Sequence, residues 1–141
     1  RGGLQKIHIN SGLRGRIELM RSEPPLVMDV AHNPAGMAML IQTLNYCGYE
    51  GVRWNVIFGA MQDKHLEAML AALAPITACL HVPTLHFARA RSTEEIAELA
   101  ERMSIRVEQY PSVEEACSSL VPQAIPTLIA GSFHLAEEVL Q

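Results

Sequence analysis

Short apolar runs alternate with amphipathic stretches along most of this 141-residue chain. The run 26–31 (LVMDVA) is apolar apart from Asp29, which is typical of a buried strand. The next segment, 35–47, has the helical spacing of apolar residues: Met37, Leu40, Ile41 and Leu44. The alternation predicts strands at 16–21, 26–31, 52–60, 78–82, 105–109 and 126–130. It predicts helices at 35–47, 64–73, from Ser92 or Thr93 to 103, from 112 onward, and at 132–140.

Capping and turn residues support these boundaries. Asp63 and Ser132 are predicted N-caps, and Ser112 has Glu115 three residues later, the spacing of a capping box. Pro34 suits the first turn of a helix and Gly48 a helix end. The prolines at 24–25 predict a turn that is short enough to join two antiparallel strands.

The succession of strands and helices predicts an α/β domain. Strand–helix–strand units favour parallel pairing with the helices packed on both faces of the sheet. With the hairpin added, the fold class is a Rossmann-like open mixed sheet, mostly parallel, with an antiparallel N-terminal hairpin strand. We expect residues 16–141 to form this domain. Residues 1–15 are expected to be the tail of a connection from another domain, since the chain opens without Met.

Composition argues against several classes of partner. The net charge is -4 and aromatic residues make up 5% of the chain, so neither a basic patch nor stacking platforms for nucleic acid are predicted. No apolar run reaches the roughly 18 residues of a membrane span. Cys47, Cys79 and Cys117 lack the C-x-x-C spacing of zinc and redox sites, which favours reduced thiols and a cytoplasmic location.

Polar or glycine-rich residues follow four of the predicted strands. These strand ends are Asp29 with 32–34, the segment 59–64, the segment 89–92, and the segment 131–134. In an open α/β sheet, ligands bind outside the carboxyl ends of the strands. We therefore expect one binding site where these segments meet.

Each of these motifs also allows a purely structural interpretation. Asp29 lies inside an apolar run and therefore needs a partner or a ligand. Asn33, which precedes a proline, is an ordinary N-cap, so part of this motif has a purely structural explanation. Lys64 opposes the helix dipole, so it either serves an anionic ligand or is merely a solvated lysine. Arg16 carries a planar guanidinium suited to binding phosphate. Alternatively, it is a charge on an edge strand that prevents pairing with other chains. The segment 131–134 is either part of a site or only a capped turn.

Four motifs occur in one order: Gly15-Arg16-Ile17-Glu18, then 27–34 (VMDVAHNP), 57–64 (IFGAMQDK) and 128–134 (LIAGSFH). Together they resemble the C-terminal domain of the folylpolyglutamate synthase/dihydrofolate synthase family, within the muramyl ligase superfamily. The resemblance runs from about Gly12 to Leu140. It departs from the family pattern at Arg14, where proline is usual, and at His65, where a second aspartate is common.

The resemblance implies an ATP-dependent ligase that adds L-glutamate to a folate or dihydropteroate carboxylate through an acyl phosphate. Arg16, Asp29 and His32 then match ATP-binding positions. The glutamate-binding neighbourhood is matched by Lys64, Ser132, Phe133 and His134. No residue is assigned as catalytic or as a metal ligand. A central domain of the same polypeptide is implied to supply the P-loop and most contacts to Mg2+. The sequence G-x-x-x-x-G-K-[ST] does not occur here, so the chain alone is predicted to be inactive.

Two alternatives remain open at this point. The chain could be the C-terminal domain of a muramyl-peptide ligase, which acts on cell-wall precursors. It could also be a non-catalytic α/β module that binds a nucleotide or a protein partner. The resemblance does not separate dihydrofolate synthase from folylpolyglutamate synthase.

Overall fold

The computed structural model describes residues 7–8, 17–22, 24–62, 65–120, 122–123 and 125–140. The strands are β1 (Ile7–His8), β2 (Ile17–Ser22), β3 (Pro25–Asp29), β4 (Trp54–Phe58), β5 (Thr77–Pro83), β6 (Val107–Tyr110) and β7 (Thr127–Ala130). The α-helices are α1 (Pro34–Leu44), α2 (Leu66–Leu73), α3 (Thr93–Arg102), α4 (Val113–Leu120) and α5 (Phe133–Leu140). Over these ranges, no helix is long and apolar enough to cross a membrane.

The strands of the described residues form one sheet in the order β1-β2-β3-β7-β4-β5-β6. The first three strands pair antiparallel, and every pairing from β3 to β6 is parallel. The predicted hairpin is present, with Ile17 opposite Asp29 and Ser22 opposite Pro25. The predicted fold class, a mostly parallel mixed sheet with an antiparallel N-terminal hairpin, is therefore confirmed.

Side-chain alternation along the strands explains why helices cover both faces. Val27, Val56 and Leu128 lie in one buried cluster with residues of α1, α2 and α3. Met28 and Ile129, one position away along their strands, lie in a second cluster with residues of α4 and α5. Strands that are buried on both faces consist of continuous apolar runs, and β3, β4 and β7 show this pattern.

The helix boundaries differ from the prediction in two places. Helix α1 ends at Leu44, and a π-helical turn at Asn45–Tyr49 follows, in which Gly48 adopts a φ of 98°. Helix α2 begins at Leu66 with His65 as its N-cap, so its predicted start at Lys64 is wrong. Asp63, the predicted cap, lies outside the described residues.

Other predicted boundaries are confirmed by hydrogen bonds. Ser112 Oγ accepts from the N–H of Glu115 at 3.1 Å. Ser92 and Glu95 form a reciprocal capping box at the start of α3. At the N-terminal end, Ile7–His8 pairs with Leu19 and Glu18 and adds an edge strand from within the segment predicted as an interdomain tail. The boundary at residue 15 remains a prediction.

A polar network crosses the sheet under α4. His81, on β5, is 5% exposed; its Nε2 donates to Asn55 Oδ1 at 3.0 Å, and its Nδ1 accepts from the Tyr110 hydroxyl at 2.8 Å. This arrangement suits a neutral imidazole with its proton on Nε2. Burial lowers the pKa of His81, Arg106 adds to the lowering, and Glu108 opposes it. Three strands are thereby joined through one uncharged ring.

We expect the stability of the chain to fall as the pH drops below about 6.5, the unfolded pKa of histidine. The unfolded state takes up a proton there, whereas folded His81 stays neutral until the pH reaches its lowered pKa. Within that window, the free energy of unfolding should fall by up to about 1.4 kcal/mol per pH unit. Urea unfolding between pH 7.5 and 5.5 measures this slope.

His81→Gln should flatten that slope and, by disturbing buried hydrogen bonds, destabilise the fold by about 1–3 kcal/mol at pH 7.5. His65→Gln serves as the control, because His65 is exposed before α2. An unchanged slope in His81→Gln would show that the network does not govern the pH response.

Candidate functional site

The carboxyl ends of β3, β7, β4 and β5 are neighbours in the sheet, so the loops that follow them meet at one edge. We call this edge the rim. The N–H of Gly131 donates to the carbonyl of Ala31 at 3.0 Å and joins the loops after β7 and β3. The N–H of Gln62 donates to the carbonyl of Arg89 at 2.7 Å and joins the loops after β4 and β5. The predicted convergence of the four strand ends is confirmed.

Asp29 and His32 share the end of β3 but differ in exposure. Asp29 is 3% exposed, and its Oδ1 accepts from the N–H of Ala31 at 2.9 Å. That bond folds the chain back at the end of the strand, as an Asx turn does. His32 is exposed, and its Nδ1 lies 3.3 Å from the carbonyl oxygen of Val30. The carboxylate therefore shapes the loop, while the imidazole is the group that a ligand can reach.

Asn33 and Pro34 set the start of α1. Asn33 Oδ1 accepts from the N–H of Gly36 at 2.7 Å, and Pro34 occupies the first helical turn. The amide oxygen thus satisfies one of the N–H groups left open at a helix start. The positive end of the α1 dipole consequently lies at the rim, next to His32.

The end of β7 is packed against β4. Gly131 has a φ of 120°, and a Cβ on it would overlap the carbonyl oxygen of Gly59 and lie 2.8 Å from the Phe58 ring. Ser132 is 2% exposed, and its Oγ accepts from the N–H of Leu135 at 3.4 Å. The predicted cap of α5 is therefore confirmed. Two neighbouring strands leave the sheet through glycines at the centre of the rim.

The remaining predicted site residues are only partly described. Phe133 and His134 form the first turn of α5, but their side chains are outside the described part of the structure. Arg16 and Lys64 lie outside the described residues. Ile17, the sequence neighbour of Arg16, pairs with Asp29 on β3. The assignment of all these residues to ATP or glutamate remains a prediction.

A bridge between the loops after β4 and β5 was missed by the sequence analysis. Met61 pairs antiparallel with Ala90, flanked by the bond from Gln62 to Arg89 and one from Arg91 to Ala60 at 2.8 Å. A single-residue bridge produces no periodicity, so no sequence pattern could have revealed it. The bridge fixes the segment 89–92 beside 60–62.

Within the ranges that the structure describes, no group of three or more His, Cys, Asp or Glu side chains could hold a metal ion.

Comparison with known families decides the relationship. The model of the family described as "Mur ligase, glutamate ligase domain" matches residues 15–133. The chain belongs to this family. The predicted membership of the muramyl ligase superfamily is thus confirmed.

Curated relatives of this glutamate ligase domain carry folate-enzyme names. A probable bifunctional folylpolyglutamate synthase/dihydropteroate synthase of Halobacterium salinarum is 32% identical over 148 residues, covering 96% of this chain and 17% of that protein. Dihydrofolate synthase/folylpolyglutamate synthase of Bacillus subtilis is 31% identical over 87 residues, covering 62% of this chain and 20% of that protein. The domain therefore spans a fifth or less of either relative.

Solved structures agree on the fold. A ligand-free bifunctional folylpolyglutamate synthase/dihydrofolate synthase from Yersinia pestis superposes with a TM-score of 0.78 at 26% identity, over 91% of this chain and 31% of that one. A second structure of such a bifunctional enzyme, with Mn, AMPPNP and L-glutamate bound, gives a TM-score of 0.72 at 28% identity. It covers 91% of this chain and 31% of that one.

We expect Gly131→Ala to destabilise the domain by at least about 2 kcal/mol, because the new methyl group meets backbone and ring atoms in a conformation that L-residues avoid. Gly48→Ala is the matched control: its φ of 98° is also positive, but nothing lies within 4 Å of the new Cβ. That variant should lose only about 1–2 kcal/mol. Urea unfolding of both variants measures the difference, and equal losses would contradict the close packing of β7 on β4.

Proposed function

We propose that this glutamate ligase domain is the C-terminal domain of an ATP-dependent ligase that adds L-glutamate to a folate or dihydropteroate carboxylate. The observation that carries the proposal is the meeting of the segments 29–34, 59–62 and 131–134 at one rim, in a chain that matches the family over residues 15–133. The folate names of the curated relatives support this substrate class over a cell-wall precursor. The solved bifunctional folylpolyglutamate synthase/dihydrofolate synthase with Mn, AMPPNP and L-glutamate bound supports a site for two substrates.

The proposed reaction has two steps. ATP first transfers its γ-phosphoryl group to the substrate carboxylate, which gives an acyl phosphate and ADP. The amine of glutamate then attacks the acyl carbon, the new amide forms, and inorganic phosphate leaves. Phosphoryl transfer depends mainly on positioning and charge neutralisation, so a domain that delivers cations and helix N-termini suits this chemistry.

We assign the nucleotide to the β3 side of the rim, where Arg16, Asp29 and His32 belong. The observed Asx turn supports a positioning role for Asp29, with His32 as the exposed contact next to the N-terminus of α1. Anions are stabilised at such a helix start. Following the resemblance, we assign most contacts to Mg2+ to the central domain of the polypeptide.

Glutamate is assigned to the neighbouring strand ends, with Ser132, Phe133 and His134 after β7 and Lys64 after β4. The hydrogen bond from Leu135 to Ser132 supports a role for this serine in fixing the start of α5, where Phe133 and His134 follow. A lysine would neutralise one carboxylate of the amino acid. The three cysteines are unpaired, which supports action in the reducing cytoplasm.

The first test compares the complete ligase with the 141-residue chain alone. With ATP, Mg2+, L-glutamate and dihydropteroate or a reduced folate, the complete protein should release phosphate at about 1 per second or faster. Mass spectrometry should detect the glutamylated product. The chain alone should show no turnover, because it contains no P-loop sequence. Comparable turnover by the chain alone, or ATP hydrolysis without a glutamylated product, would refute the proposal.

A second test separates charge from hydrogen bonding at Asp29. Asp29→Asn keeps an oxygen that can accept from Ala31, so we expect a thermal midpoint close to that of the wild type. If the carboxylate contacts the nucleotide, kcat/KM for ATP in the complete ligase should fall at least about tenfold, since a hydrogen bond to a charged group is lost. Asn33→Ser, which keeps an N-cap side chain, should behave like wild type. Full activity in Asp29→Asn would restrict this residue to shaping the loop.

A further inference from the structure

Glu138 of helix α5 contacts the loop of residues 84–92, which follows β5 and which we call the β5 loop. Glu138 Oε2 accepts a hydrogen bond from the backbone N–H of His86 at 3.1 Å, and its Oε1 lies 3.6 Å from His86 Nδ1. The Glu138 side chain is 14% exposed, whereas that of His86 is 69% exposed. The bond to the N–H does not depend on the protonation of the imidazole. The carboxylate therefore holds the loop backbone whether or not the histidine is charged.

The base of the β5 loop is packed between β4 and α5. A Cβ built on Gly59 would lie 2.9 Å from Leu85 Cδ1, so the Leu85 side chain lies directly against the end of β4. Phe87 packs against the second buried cluster, which includes residues of α5. His86 lies between these two anchored residues, and its N–H is the donor that Glu138 binds. This part of the loop is therefore attached to α5 through both apolar packing and a hydrogen bond.

The tip of the β5 loop is paired with the loop that follows β4. The N–H of Ala90 donates to the Phe87 carbonyl at 3.0 Å, which links the tip to the base by a tight turn. Ala90 also forms the antiparallel bridge with Met61, and the flanking hydrogen bonds join residues 60–62 to residues 89–91. A shift at the base of the β5 loop is therefore passed on to residues 60–62.

Helix α5 connects the two segments to which glutamate is assigned, 60–64 and 132–134. The helix begins at Phe133, within the second segment. Glu138, about 1.4 turns further along, holds the β5 loop, and that loop holds residues 60–62 of the first segment. A small substrate that contacts both segments reacts efficiently only if their relative position is fixed.

The contact of Glu138 with the loop affects local position more than global stability. Ion pairs with an exposed partner contribute little to the free energy of unfolding. A loop whose backbone N–H loses its acceptor can move locally while the sheet stays folded. Loss of the Glu138 carboxylate should therefore loosen the β5 loop and the residues bridged to it.

We propose that Glu138 is a positioning residue for the addition of glutamate. Through the N–H of His86 it fixes the β5 loop, and through that loop it fixes residues 60–62 relative to the start of α5. This inference rests on the proposed function, because it takes L-glutamate as the substrate of these segments. Glu138 itself touches no substrate in this assignment.

Steady-state kinetics of the complete ligase test this role. Glu138→Ala should lower kcat/KM for L-glutamate about tenfold to a hundredfold, because misplaced binding segments lose the geometry for attack. The KM for ATP should change by less than about twofold, since the nucleotide is assigned to the end of β3. Glu138→Gln keeps an oxygen that can accept from the His86 N–H, so it should restore kcat/KM for glutamate to within about threefold of the wild type.

Glu98→Ala is the matched control. Glu98 is exposed, and it occupies the same position in α3 that Glu138 occupies in α5. Its kinetic constants for both substrates should equal those of the wild type.

Hydrogen exchange of the same ligase, followed by mass spectrometry, measures the loosening directly. In Glu138→Ala, the peptides that contain the N–H groups of Gln62 and Arg91 should exchange at least about tenfold faster, because both groups donate across the bridge. Peptides of β7 should exchange as in the wild type, which would show that the sheet is intact.

Three outcomes would overturn the inference. Wild-type kinetics in Glu138→Ala would show that the contact does not serve the reaction. Equal losses in Glu138→Gln and Glu138→Ala would show that charge matters rather than the hydrogen bond to the loop. Faster exchange in β7 as well would show that Glu138 stabilises the fold as a whole. A wild-type ligase that does not consume glutamate would instead refute the proposed function, while hydrogen exchange would still show whether Glu138 holds the two loops.

Discussion

The parallel pairing of β7 on both sides is the interaction on which the rest of the molecule depends. Thr127, Leu128 and Ile129 pair with Leu26, Val27 and Met28 of β3 and with Asn55, Val56 and Ile57 of β4. A strand near the end of the chain therefore joins two strands that are far from it in sequence. Without this pairing, the segment 29–34 and the segment 59–62 would have no common edge. Contacts of such long sequence separation form at a high cost in loop-closure entropy, which burial on both faces must offset.

Several polar groups that look functional in the sequence are occupied by the turns that build the rim. Asp29 Oδ1, Asn33 Oδ1 and Ser132 Oγ each accept from a backbone N–H within three residues. Buried backbone donors at a strand or helix end need such partners. These side chains therefore stabilise the turns whether or not they also bind a ligand. Groups that project to solvent, namely His32, Gln62 and Arg89, are the ones free to meet a ligand without breaking a turn. Capping residues and exposed residues thus alternate along the same loops.

Much of the fold could be predicted from local pattern, and the failures have physical causes. Apolar runs and capping spacings give the α/β class and the hairpin, because both depend on residues close in sequence. The insertion of β7 between β3 and β4 is not a local property, so no spacing could predict it. The start of α2 was predicted two residues too early because Asp63 is a good cap by residue type, whereas the helix begins after His65. His81 is a core residue whose partners Asn55 and Tyr110 lie too far away in sequence for a local pattern to predict them.

The centre of the rim explains how two charged substrates could approach each other there. Under the proposed function, the nucleotide lies at the end of β3, and glutamate lies at the ends of β7 and β4. Those two strands leave the sheet at Gly131 and Gly59, and the packing around Gly131 leaves no room for even one added methyl group. The space beside these glycines is filled by the Phe58 ring and by the Leu85 side chain, so the two strand ends are held in one fixed arrangement. Fixed strand ends hold the residues that follow them in a constant geometry, and this type of reaction requires such positioning of an acyl phosphate and an amine.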